Sequence, residues 1–277
     1  FCLAEGENAF EFSLQSDTIS FSADTAKTRK KAVVPSGRLQ ISKYEDRLRM
    51  VFQGAGAEKK SQLYFADSKD LVTWTDVRAI APGIPGPGIM IPKDSARHHL
   101  LFFGSETIRM AVSRDSEDWT LREYSVLEPR SGFFDSGPLE IANAWMVEQG
   151  LLMLYHSKKK EGEKARYSVG LAMIDKDNYQ KVLWRSSTPI WVSISTPWQE
   201  GLPVSPIGSV LFRGRIVGYW NVRGEGVQAV TYPMAGLPLE IFKNEALRML
   251  RPPGNPLIYP QAQNAWEAFT TFNPAAV

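Results

Sequence analysis

Asp135 in the run GFFDSG, Glu140 and Glu200 are carboxylates set beside turns between strand-like runs. A carboxyl group can give a proton as a general acid or take one as a general base, provided it can reach the reacting atom. Of the three, Asp135 is the catalytic candidate. Asp135 and Glu140 also suit a simpler use, because short acidic side chains close turns by accepting from backbone N–H groups. Asp70 and Asp115 read as turn closers alone. There are three histidines. His98 and His99 are neighbours at a strand start and must point to opposite faces, so at most one can share a site with another group. His156 ends an apolar strand, where its ring either faces a central pocket or only finishes the strand.

Three convergent ligands for a metal are not suggested by these positions, and with Cys2 as the only cysteine neither an intrachain disulfide nor a cysteine-based zinc site can form. A reducing cytoplasm is the simplest compartment for such a chain. The formal net charge is +2 and the basic residues are dispersed, apart from Arg29-Lys30-Lys31 and Lys158-Lys159-Lys160. Nucleic-acid binding, which needs cations massed on one face, is therefore not expected. Nor is a membrane helix, since no apolar run approaches the roughly 18 residues required. No cofactor is expected.

The elements that must position these residues are strands. LRMVFQGAG (48–56), SQLYFADS (61–68), HHLLFFGS (98–105), TIRMAVS (107–113), GLLMLYHS (150–157), YSVGLAMI (167–174), GSVLFRGRIVGYW (208–220) and GVQAVTY (226–232) are short, aromatic or β-branched runs. LEIFKNEALRML (239–250) comes nearest to a helical period. The pairs of strands repeat: YFADSKDLVTWT and MAVSRDSEDWT place Ser68 and Trp74, then Ser113 and Trp119, at an offset of 45 residues. That is the length of a four-stranded propeller blade. Weaker echoes at FSLQSDTISF, LAMIDKDNYQKVLW and AVTYPMAGLPLEIF bring the number to five. The chain reads as all-β, a single five-bladed β-propeller over residues 1–277, in which neighbouring blades bury one another's faces.

From Asp135 onward the order of motifs resembles glycoside hydrolase family 130, the mannoside phosphorylases and their relatives. Gly137-Pro138, Tyr155-His156-Ser157, Leu171-Ala172-Met173-Ile174-Asp175 and Val182-Leu183-Trp184-Arg185-Ser186 stand where that family has a Gly-Pro turn, Tyr-His-Gly and a "gaaLlDldnP.kvl.Rs" strand pair. WQEGLPVSPIGSVLFRGRIVGYW resembles "yE..G.v.nVvFs.G.i..iYYG". At the C-terminus, NPLIYPQAQNAWEAFTTFNPAAV (255–277) resembles the beginning of a family domain, and FCLAEGENAF resembles the strand that should follow it. Either the domain is circularly permuted, its first blade closed by both termini, or residues 255–277 start a second propeller copy.

The resemblance implies a proton-donating Asp in a "G.EDPR" turn facing the axis, with Arg, Lys and His residues holding phosphate. Here Pro35-Ser36-Gly37-Arg38 stands at that turn, so only the arginine is kept, and Leu3 and Phe103-Gly104 replace further basic positions. Serine cannot replace the carboxylic acid. The substrate-binding positions implied are Ser36, Arg38, Tyr155, His156, Trp220, Asn221, Arg223 and Glu200, with Trp198 adding aromatic surface. These would line a funnel at one face of the ring, with Asp135 at its rim. Carboxylates about 5 Å or 6.5–9.5 Å apart would suit glycoside hydrolysis. Two functions of different class follow. One is an active divergent glycosidase or phosphorylase of β-mannosides, with inorganic phosphate as co-substrate in the second case. The other is a sugar-binding propeller of reduced or no activity. An oligosaccharide is the expected ligand in both, and a second family-130-like domain or a second copy of the chain the expected protein partner.

Overall fold

The computed structural model describes residues 3–5, 9, 13–16, 20–21, 35–55, 61–80, 84, 86–91, 98–161, 164–193, 204–213, 215–222 and 226–232. Within them are nineteen strands. β1 (Leu3–Glu5) pairs with β2 (Ser13–Ser16). A larger sheet has the order β3-β7-β6-β5-β4, built from β3 (Ser20–Phe21), β4 (Pro35–Tyr44), β5 (Arg47–Ala55), β6 (Ser61–Ser68) and β7 (Thr73–Ala79). The next is β8 (Gly88–Ile91), β9 (His99–Phe103), β10 (Ile108–Ser113) and β11 (Thr120–Leu127). Then come β12 (Leu139–Val147), β13 (Gly150–Glu161), β14 (Lys164–Ile174) and β15 (Val182–Arg185), with β16 (Trp191–Val192) on β14. β17 (Val204–Phe212), β18 (Arg215–Val222) and β19 (Gly226–Thr231) form the last sheet.

The strand-like runs read from the sequence all become strands. Their order follows from hairpins: within each larger sheet successive strands pair antiparallel, as short connections require. β4, β8, β12 and β17 each stand at one end of a larger sheet, and they touch in a closed ring, β4 against β8, β8 against β12, β12 against β17 and β17 against β4. Sheets radiating from such a ring are the blades of a propeller, and the fold is all-β. Among the described residues four sheets place an inner strand in this ring, and β1–β2 is a further two-stranded sheet. The segment 239–250 and the pairing of Phe269–Val277 with the N-terminal strand lie outside the described residues.

Apolar side chains fill the spaces between blades. Leu100, Phe102 and Met110 of one blade meet Leu139, Ile141, Leu151 and Met153 of the next. On the other face of that second blade Leu152, Leu154, Val169 and Leu171 meet Ile216 and Trp220. Strand alternation produces this division, since odd and even residues of β13 point to opposite faces. Burying one large apolar side chain contributes about 1.5–3 kcal/mol, so each interface is a substantial part of the stability.

The repeat at an offset of 45 is a repeat of hydrogen bonds. Asp70 Oδ1 accepts from the amides of Val72 and Thr73 at 2.9 and 2.7 Å, and Ser68 Oγ donates to it at 3.1 Å. Asp115 Oδ1 accepts from Glu117 and Asp118 at 2.9 and 3.0 Å, and Ser113 Oγ donates to it at 2.9 Å. Leu71 and Ser116, also 45 apart, take positive φ of 65° and 63° and offer their carbonyls to the indole N–H of Trp74 and Trp119 at 3.0 and 3.2 Å. The two aspartates are turn closers, as the sequence suggests.

Two seams of the inner ring carry side-chain amides. Gln40 Nε2 donates to the Met90 carbonyl at 3.2 Å, and its Oε1 accepts from the Met90 amide at 2.6 Å. Asn143 Nδ2 donates to the Ser209 carbonyl at 2.8 Å. The first links β4 to β8 and the second β12 to β17.

Candidate functional site

The inner strands enclose a channel of about 640 Å³, walled by β4, β8, β12 and β17. Arg38, on β4, lines it and reaches across to β12 and β13. Its Nη2 donates to Glu140 Oε2 at 2.6 Å, and its Nη1 donates to the Ile141 carbonyl at 3.0 Å and to His156 Nδ1 at 3.1 Å. The register places Glu140 directly opposite His156, which sends both side chains to the same face. β4 and the β12–β13 hairpin, far apart in the chain, thus meet at one point.

A guanidinium has donors and no acceptor. His156 Nδ1 must therefore be the bare nitrogen, and the ring proton sits on Nε2. Nε2 is buried and has no hydrogen-bond partner among the described residues. The ring lies 5.2 Å from Trp220 and 6.3 Å from Tyr167, centroid to centroid. Burial, and after it the Arg38 charge, pushes the His156 pKa well below the ordinary 6.5, so the imidazole is neutral. Burial also lowers the Arg38 pKa, and Glu140 opposes that shift. The Arg38 side chain is 11% exposed and that of Glu140 20%.

Aromatic rings support His156 from below. Trp220 is fully buried, lies tilted by 37° against Trp191 with centroids 4.6 Å apart and donates from its indole N–H to Tyr232 Oη at 3.0 Å. Burial raises the Tyr232 phenol above its ordinary 10.0. Gly218 makes room for that phenol, because a Cβ there would lie 1.9 Å from Tyr232 Oη.

Asp135 occupies a different place from the one expected for it. It stands away from any rim, wholly buried, on the reverse face of the β13 sheet. Arg130 Nη2 donates to Asp135 Oδ2 at 2.9 Å, Arg185 Nη2 forms an ion pair with it, and Tyr155 Oη donates to it at 2.8 Å. Arg185 Nε in turn donates to Tyr155 Oη at 3.1 Å. Burial pushes the Tyr155 phenol up to about 12 despite the adjacent Arg185. A carboxylate held by two guanidinium groups and a phenol, with no exposed surface, ties turn to strand. Tyr155 belongs to this cluster and not to the Arg38 site.

Of the other expected site residues, Asn221 is exposed on β18, while Trp198, Glu200 and Arg223 lie outside the described residues. Ser36 is on β4 two residues before Arg38, and its side chain is outside them as well. His99 is 1% exposed, its ring 5.2 Å from that of Tyr44, so it belongs to the core. Glu140 as the partner of Arg38, and Tyr167, Trp191 and Tyr232 around Trp220, are what sequence reasoning did not assemble. The alternation of β13 and β14 carried a partial signal, since Tyr167 faces Lys158, two residues beyond His156. Among the described residues no group of three or more His, Cys, Asp or Glu could hold a metal ion.

The fold is an all-β propeller. Residues 40–195 match the model of glycoside hydrolase family 130, described as β-1,4-mannooligosaccharide phosphorylase, and the chain belongs to that family. No curated protein matches. Solved structures do, at identities that establish the fold alone. A putative glycoside hydrolase from Bacteroides ovatus is 21% identical with a TM-score of 0.57, over 70% of this chain and 67% of that one. The β-1,2-mannobiose phosphorylase from Listeria innocua, solved with β-1,2-mannobiose, is also 21% identical with a TM-score of 0.57, over 69% of this chain and 56% of its own. A third comes from the GH130 family of mannoside phosphorylases, described as containing glycoside hydrolases that target β-1,2 mannosidic linkages in Candida mannan. It is 19% identical with a TM-score of 0.58, over 76% of this chain and 68% of that one.

Proposed function

We propose that this propeller binds β-linked mannosides or similar oligosaccharides at the Arg38–Glu140–His156 end of its channel and carries out little or no phosphorolysis. The observation that supports this most directly is the pairing of Arg38 with Glu140 at 2.6 Å. Phosphorolysis needs an acid at the glycosidic oxygen and cations that position an anionic nucleophile. At the turn where the family places that acid, this chain has Ser36. The one arginine kept from that motif already serves a carboxylate, a carbonyl and an imidazole. Loss of a positioned general acid alone lowers turnover by about 10²- to 10⁴-fold. What remains on the channel wall, Arg38 with Gln40, Asn143, Trp145 and Tyr219, is the mix of polar and aromatic side chains that holds neutral sugars.

The direct test is purified protein supplied with mannobiose and phosphate, with mannose 1-phosphate assayed, beside calorimetric titration with mannobiose alone. Binding without phosphate-dependent turnover is the expected result. Release of mannose 1-phosphate at about 1 s⁻¹ or faster, within the ordinary enzyme range, overturns the proposal. A second reading, an active divergent hydrolase, is favoured by the partial exposure of Glu140, and release of free mannose lost in Glu140→Gln would support it.

A further inference from the structure

We propose that Glu140 is the residue that keeps anions out of this site, acting as a built-in occupant of the Arg38 guanidinium and so selecting neutral ligands over phosphate or acidic sugars. The inference deepens the sugar-binding reading and rests on it for the identity of the ligand, though the exclusion of anions is tested separately.

An arginine recognises phosphate or carboxylate through paired N–H donors on its planar fork. In Arg38 the outer nitrogens are engaged: Nη2 with Glu140 Oε2 at 2.6 Å, Nη1 with the Ile141 carbonyl and His156 Nδ1 at 3.0 and 3.1 Å. The carboxylate therefore already holds an Nη2 donor that an external anion would need for a two-point grip across the Nη1 and Nη2 fork. An entering anion would have to displace Glu140 and then lie against its charge. The arginine and glutamate cancel, and the neutral His156 adds no charge to offset the repulsion.

The geometry also shows why Glu140 cannot turn aside without consequence. It sits opposite His156 in the β12–β13 ladder, and the next residue, Ile141, provides the carbonyl that holds Nη1. Adjacent residues of one strand thus grip the guanidinium by a side chain and by the backbone. If Glu140 withdrew from a buried, ionised Arg38, the guanidinium would lose the partner that compensates its desolvation. An external anion would then become the natural replacement. The internal carboxylate decides which of the two is present.

The experiment compares the unaltered protein with Glu140→Ala, Glu140→Gln and Arg38→Gln/Glu140→Ala, each titrated with inorganic phosphate by calorimetry at constant ionic strength. Expected is no saturable phosphate binding by the unaltered protein and a gain of about tenfold or more in affinity in Glu140→Ala, abolished when Arg38 is also replaced. Glu140→Gln keeps the side-chain volume and drops the charge, and gives the same readout if the alanine variant does not fold. The proposal fails if the unaltered protein binds phosphate as tightly as the Glu140 variants do, or if the gain survives replacement of Arg38. Mannobiose titrated into the same proteins separates the two readings: no mannobiose binding overturns the sugar assignment, while the phosphate comparison still decides the role of Glu140.

Discussion

Tyr155 and His156 are consecutive on β13, and strand alternation sends them to opposite sides of the sheet: Tyr155 donates to Asp135 at 2.8 Å, while His156 accepts from Arg38 at 3.1 Å. One peptide unit separates the Asp135 cluster from the Arg38 site. The buried cluster fixes the strand from behind, and so sets the position of the imidazole in front.

Asp135→Asn is accordingly expected to act on stability. Removing one partner of a buried ion pair costs about 3–5 kcal/mol, because the remaining charges are left uncompensated. Denaturant unfolding should show a loss in that range. An Asp135→Asn variant that unfolds like the unaltered protein would show that the carboxylate does not tie turn to strand.

His156 should make stability depend on pH. Its native pKa lies well below 6.5, so beneath that pH the unfolded chain binds a proton that the folded chain does not. The contribution of neutral His156 is complete above pH 6.5 and is lost as pH falls through the window down to its native pKa. The slope should reach at most about 1.4 kcal/mol per pH unit. Chemical unfolding at successive pH values should show this slope in the unaltered protein and not in His156→Gln.

Asp115, with two backbone amides and a serine hydroxyl on its carboxylate, has a pKa lowered from 3.8 to about 2. The amide of Glu117 is the largest cause. The stability it lends is present above its unfolded value and disappears as pH falls through about 2. Carbon NMR of the carboxyl should titrate with a midpoint near that value, and Ser113→Ala should raise it.

Arg49, 1% exposed, meets Asp67 through both Nε and Nη2 at 2.7 and 2.8 Å and donates to Ser116 Oγ of the next blade at 2.6 Å. Burial works to lower its pKa, and the bonds to Asp67 more than reverse this. Arg49→Met should cost about 3–5 kcal/mol and leave Asp67 unpaired, while the double variant with Asp67→Leu should recover part of that loss. A double-mutant cycle of unfolding free energies measures the difference.

The blades were legible in the sequence because each repeats a local code. Ser68, Asp70 and Trp74, then Ser113, Asp115 and Trp119, determine their turns through bonds spanning only two or three residues. The site was legible in part: Arg38 and His156 carried family positions, and the structure brings them into contact. Glu140 could not be assigned to Arg38, since that pair spans 102 positions and depends on how the ring closes. Asp135 misled because a carboxylate in a turn looks the same whether it faces solvent or two arginines. Only the packing of Arg130 and Arg185, the second 50 residues away, tells the two apart.

The Gln40–Met90 bridge bears on how this protein avoids aggregation. β4 and β8 are outermost in the strand order of their sheets, and an outermost strand offers unpaired N–H and C=O groups that a foreign strand can join. The Gln40 amide fills both groups of Met90, one donor and one acceptor, as a neighbouring peptide would. At this seam the inner margin of β8 is closed to strand addition by a side chain. Gln40→Ala would reopen the Met90 groups, and partial unfolding at the axis would then expose a margin able to pair with another molecule.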